Sequence, residues 1–112
     1  MEFWHNPRCT KSREALALLR SKGVEPSVRE YLKTPPSREE LEGVVRRLAL
    51  ASPRDLVRTK EDAYRTRDLK DADDDALYAA MAEEPKLIER PVLINGPRAA
   101  IGRPPERILD AV

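Results

Sequence analysis

The segment His5-Asn6-Pro7-Arg8-Cys9-Thr10-Lys11-Ser12-Arg13 gathers the residue types from which a protein makes a reactive thiol. Cys9 is the only cysteine of the chain and His5 the only histidine. The short apolar run before the segment reads as a strand, and the residues after Asn6-Pro7 read as a helix start. Cys9 therefore falls where unpaired backbone N–H groups and the positive end of the helix dipole favour a negative charge. Arg8, Lys11 and Arg13 are expected to surround it with further positive charge. Both effects lower a thiol pKa and raise the thiolate population. The same N–H groups can hold the oxygens of an incoming anion. The chemistry to expect is nucleophilic redox work on a small oxyanion; the alternative is a small buried side chain with no reactivity.

One cysteine excludes an internal disulfide. The fourth position, where a C-x-x-C pair would carry its second thiol, holds Ser12. An oxidised or modified Cys9 then needs an outside thiol, such as glutathione or a glutaredoxin-type protein, to restore it. His5 can hydrogen-bond or tune the thiolate, or merely line the end of the first strand. A Cys/His protease pairing is disfavoured, because those partners come from distant parts of a chain. No metal site is expected, since one His and one Cys cannot supply the four ligands of a structural zinc.

The elements that must position these residues follow from the spacing. Residues 1–4 form a first strand. Thr10 or Ser12 can cap a helix carrying Ala15, Leu16 and Leu19, with Gly23 as its left-handed stop. Residues 27–31 alternate as a second strand, which completes a βαβ unit. Ser37 and Glu40 form a capping box for a helix with Leu41, Val44, Val45 and Leu48 on one face. Pro53 opens a short helix through about Thr59. Residues 61–72 are polar and unassigned, and Asp73 or Asp74 caps a helix with Leu77, Ala80 and Met81 inside. Residues 91–96 and 99–101 form a hairpin, and a last helix carries Ile108 and Leu109. The sum is an α/β chain of 112 residues in one domain, a small mixed β-sheet flanked by helices with a helical insertion at about 37–84.

Net charge is +1, from 21 basic and 20 acidic side chains. That balance argues against nucleic acid as a partner, which would call for a basic stripe. No apolar run reaches the ~18 residues of a membrane span. The N-terminus lacks signal-peptide character, so a cytoplasmic location is expected, where a lone thiol stays reduced. The basic residues divide into 15 Arg and 6 Lys, so no single arginine stands out by type, and position has to decide.

Taken together, His5-Asn6-Pro7-Arg8-Cys9-x-Lys11-Ser12-Arg13 resembles the active-site loop of the glutaredoxin-coupled arsenate reductases. Tyr31-Leu32 with Thr34-Pro35-Pro36, Arg54 to Arg58, Pro85 to Pro91 and Ile101 to Glu106 agree in order and spacing, so the likeness spans the chain. The resemblance implies a thioredoxin-like fold. It also implies that Cys9 is the nucleophile, that His5 tunes it, and that Arg58, Arg90 and Arg103 bind the anion beside the loop residues Thr10, Lys11 and Ser12. Pro91 matches a proline after a cis peptide. Cys9-Thr10-Lys11-Ser12 departs from the Cys-Gly-Thr-Ser of the best-known branch, and Lys11 adds a charge there. The implied reaction reduces arsenate to arsenite with glutathione as cosubstrate, glutaredoxin as partner and no bound cofactor. A general glutathione-dependent thiol oxidoreductase and a non-catalytic regulatory adaptor are the alternatives on the same fold.

Overall fold

A computed structural model describes all 112 residues, Met1–Val112. The chain divides into two units, one made of Met1–Thr34 with Arg90–Val112 and the other of Pro35–Glu89.

The first unit is built on strands β1 (Glu2–Trp4), β2 (Ser27–Arg29), β3 (Val92–Asn95) and β4 (Arg98–Ile101), in the order β2-β1-β3-β4. β1 and β2 are parallel, so the chain must cross over between them. Helix α1 (Thr10–Ser21) makes that crossing. β3 runs antiparallel to both β1 and β4. Phe3, Leu93 and Ala100 lie side by side across three strands and pack with Ala15, Leu16 and Leu19 of α1 and with Ile108 and Ala111. Val92 and Leu93 are both fully buried, which is why β3 reads as a continuous apolar run rather than an alternating one. Gly96 takes φ +58° as the first of the two residues joining β3 to β4, where a tight hairpin turn needs a left-handed residue.

Four details differ from the sequence expectation. Cys9 itself, extended at φ −93° and ψ 122°, is the N-cap of α1, in place of Thr10 or Ser12. The Arg13 N–H donates to the Cys9 carbonyl, which makes Thr10 the first helical residue. β2 stops at Arg29, because the N–H groups of Lys33 and Thr34 turn back onto the Glu30 carbonyl. The helix opened by Pro53 ends at Leu56 rather than near Thr59: Val57 leaves to bridge Ile88, and the Arg58 N–H donates to the Leu87 carbonyl. The last helix, Pro105–Ala111, is of the tighter 3₁₀ type and is tied down by Asn95 Nδ2 donating to the Ala111 carbonyl.

The second unit contains α2 (Arg38–Arg47), α3 (Asp62–Thr66) and α4 (Asp74–Glu83). The Ser37–Glu40 capping box is present, and Leu41, Val44 and Val45 are buried behind it. Asp73 caps α4 at the Ala76 N–H, and Leu77, Ala80 and Met81 face inward. The polar stretch 61–72 is organised from outside by Arg54. Its guanidinium donates to Tyr64 Oη at 2.8 Å, the Leu69 carbonyl at 2.9 Å and the Ala72 carbonyl at 2.7 Å.

Candidate active site

The sheet topology brings the candidate residues of the first unit together. The parallel strands β1 and β2 both end at one edge of the sheet, where β3 begins and β4 ends. His5–Cys9, Glu30–Lys33, Arg90–Pro91 and Gly102–Arg103 therefore meet at that edge.

The loop after β1 is held by its own short-range bonds. The His5 N–H continues the sheet to the Arg29 carbonyl, and the Cys9 N–H closes a turn on the Asn6 carbonyl. Asn6 Oδ1 accepts from the Arg8 N–H, the local turn that asparagine favours. Ser12, fully buried one turn into α1, ties the loop to the helix: its Oγ accepts the Asn6 N–H at 3.0 Å and bonds His5 Nδ1 at 2.6 Å. His5 thus spends Nδ1 on Ser12, not on the sulfur. Burial first, then the charges of Arg20 and Arg13, lower its pKa against the opposing pull of Glu30, so the ring is neutral at pH 7.

Cys9 is half-buried at the N-terminus of α1. Burial alone pushes its pKa up. The Ser12 N–H, the Arg90 guanidinium and the Lys11 N–H together outweigh that and hold the thiol below its ordinary range. The neutral thiol makes no cap hydrogen bond; these donors favour the charged form. The positive charge therefore comes from Arg90, far away in sequence, and not from the side chains of Arg8, Lys11 and Arg13 as expected. Arg13 is turned to the Pro7 carbonyl and Thr10 Oγ1, and Arg8 and Lys11 are exposed. Thr10, Lys11 and Ser12 contribute the first N–H groups of the helix, which have no acceptor within it.

Arg90 carries the most telling feature. Its Nε and Nη1 are buried and have no hydrogen-bond partner. Leaving a buried donor unpaired costs about 1–3 kcal/mol, more for a charged group. Such a cost persists where a ligand supplies the acceptor. An oxyanion with several oxygens suits a planar guanidinium fork facing a helix N-terminus.

The Arg90–Pro91 peptide is cis, as is Arg103–Pro104. Gly102 permits this packing: a Cβ there would lie 2.8 Å from Pro91 Cγ, and its N–H donates to the Pro91 carbonyl at 2.9 Å. The sequence reading missed Gly102, and the only signal was a glycine between a strand and two prolines. Arg103 is exposed at the same sheet edge. Arg58 belongs to the second unit, where its guanidinium pairs with Glu61. No three His, Cys, Asp or Glu side chains come together to hold a metal ion, and no helix is long and apolar enough to cross a membrane.

The sequence pattern of the ArsC family matches residues 4–111. The chain belongs to the ArsC family. Within it, the chain is 46% identical, over its full length and 96% of the relative, to the Escherichia coli K12 protein YfgD, described as uncharacterized. It is 43% identical to an arsenate reductase of Haemophilus influenzae, covering 96% of this chain and 95% of that one. Among solved structures, an arsenate reductase from Vibrio cholerae superposes with a TM-score of 0.95 at 48% identity, covering 100% and 98% of the two chains. The fold of this ArsC-family chain is accordingly thioredoxin-like, with Cys9 at the junction of its first strand and first helix.

Proposed function

We propose that this protein is a glutathione- and glutaredoxin-dependent arsenate reductase of the cytoplasm, working without a bound metal or prosthetic group. The observation that carries the proposal is Arg90: two buried, unpaired guanidinium-group nitrogens beside a thiol whose pKa is lowered. The naming of several relatives as arsenate reductases supports the choice of oxyanion.

In the proposed reaction the Cys9 thiolate attacks arsenic and displaces an arsenate oxygen as water, forming a Cys9 sulfur–arsenic bond. Arg90, with Arg103 and the N–H groups of Thr10, Lys11 and Ser12, neutralises the oxyanion. His5 acts through Ser12, fixing the loop that presents those N–H groups. Glutathione then displaces a second arsenate oxygen as water, forming an arsenic–sulfur bond. The glutaredoxin thiol takes the glutathione sulfur as a mixed disulfide and leaves two electrons on arsenic; water then cleaves the Cys9–arsenic bond, returning the Cys9 thiol and releasing arsenite. The sum balances: arsenic acid and two thiols give arsenous acid, one disulfide and one water.

The test is arsenite production from arsenate with glutathione and glutaredoxin, comparing the wild type with Cys9→Ser. Turnover should be abolished in the variant, and full activity without Cys9 would falsify the mechanism. Disulfide reduction with no arsenate turnover in the wild type would instead select a general thiol oxidoreductase.

A further inference from the structure

The β2 flank of the Cys9 loop holds an open pocket that the chemistry above does not use. It has a volume of about 240 Å³ and lies between Asn6 and Arg8 of the loop and Glu30, Leu32 and Lys33 of the turn after β2. Arg8 is exposed, and only its backbone N–H is engaged. Lys33 and Glu30 pair at 3.5 Å, but their side chains are 78% and 43% exposed. Such a pair contributes little to stability and exchanges readily for other partners. Leu32 is 42% exposed, an apolar surface among these charges.

Two cations, one carboxylate, an amide and an apolar wall in a pocket of this size suit the zwitterionic head of an α-amino acid on a short methylene stem. Arg8 is chain neighbour to Cys9, so a ligand held there sits close to the sulfur. β2 and β3 lie on opposite sides of β1, and Arg90 precedes β3. The pocket and the Arg90 side of the loop therefore do not contest the same space.

We propose that this pocket binds the γ-glutamyl end of glutathione, its α-carboxylate on Arg8 and Lys33 and its α-ammonium on Glu30. The assignment rests on the glutathione-dependent reading above. It makes the β2 flank the entry side for the second thiol, and the β3 flank the oxyanion side.

Thiol–disulfide exchange tests this without arsenate. The Cys9 thiolate attacks oxidised glutathione, a Cys9–glutathione disulfide forms, and one glutathione thiolate leaves. The rate of that step, followed by mass spectrometry, is compared with the rate for the disulfide of cysteinylglycine, which lacks the glutamyl group. The ratio of the two rates should fall about tenfold in the Arg8→Ala/Lys33→Ala double variant, which removes both exposed cations from the carboxylate. Glu30→Gln decides between recognition and a general positive field. Loss of the ammonium partner lowers the ratio about threefold, whereas removal of a repelling carboxylate would raise it. A ratio that rises in Glu30→Gln, or that stays constant in both variants, overturns the proposal. Failure of the wild type to reduce arsenate while the ratio shifts as stated would sink the arsenate reading and leave the pocket standing.

Discussion

Arg54 and Arg90 are two partly buried arginines whose hydrogen-bond partners differ completely. In the second unit Arg54 donates to Tyr64 Oη and to two carbonyls, and so shapes the stretch between Pro53 and α4. In the first unit Arg90 leaves Nε and Nη1 without an acceptor while its charge acts on Cys9. The residue type is the same, and each stands next to a proline, Pro53 or Pro91. The difference is in satisfaction: Arg54 gives three bonds to the fold, and Arg90 keeps two buried donors open beside the Cys9 thiol, the pattern expected of a ligand site.

That contrast is strongest in substitution. Arg90→Met should cut arsenate turnover by about 10²–10³-fold, the usual loss for one preorganised donor to a developing oxyanion. It should also move the pH midpoint of Cys9 alkylation upward, since a lowering charge has gone. Its unfolding free energy should hold or rise, because unpaired buried donors have been removed. Unchanged alkylation with a large stability loss would put Arg90 in the same class as Arg54. For Arg54→Met the expectation is reversed: urea unfolding should show a loss of about 2–4 kcal/mol, from orphaning three acceptors. The Cys9 alkylation rate should not move.

A smaller effect is expected at Gly102. An added methyl would have to displace the Pro91 ring from 2.8 Å, shifting the Arg90–Pro91 segment from the loop it faces. Gly102→Ala should lower turnover about tenfold, in keeping with misplacement rather than removal of a ligand. A variant with wild-type kcat/KM would show that Pro91 can yield without cost.

The smallest effect concerns His5 and pH. Its folded pKa lies below the ordinary imidazole value of 6.5, chiefly through burial. As pH falls through about 6.5 the unfolded chain takes up a proton that the folded chain does not, so stability declines. The decline stops once pH passes the lower folded value. His5→Gln, which can still bond Ser12, should flatten this window in urea midpoints between pH 8 and 5. Parallel curves for the two proteins would remove His5 from the acid response.

What could be read from the sequence was what depends on near neighbours. The βαβ opening, the Ser37–Glu40 capping box, the Asp73 cap and the hairpin about Gly96 are set within a few residues, by turn chemistry and periodicity. So was the suspicion of Cys9, from its place between a strand and a helix. Even there the sequence points to the wrong cap, because a side-chain oxygen is the usual signal and the N-cap is the cysteine. Ser12, read as a possible cap, is instead the buried link between His5 and Asn6.

Other features depended on distant parts of the chain. The charge acting on Cys9 comes from Arg90 and not from Arg8, Lys11 or Arg13, because a side chain's direction is set by packing, not by its distance along the chain. The stretch 61–72 was unreadable because its acceptors are met by Arg54 and not by a pattern of its own. Sequence alone therefore singled out Cys9 and its strand–helix junction. Tertiary structure decided which of fifteen arginines stands beside it with unpaired nitrogens, because only the antiparallel entry of β3 brings Arg90 to the edge where β1 ends.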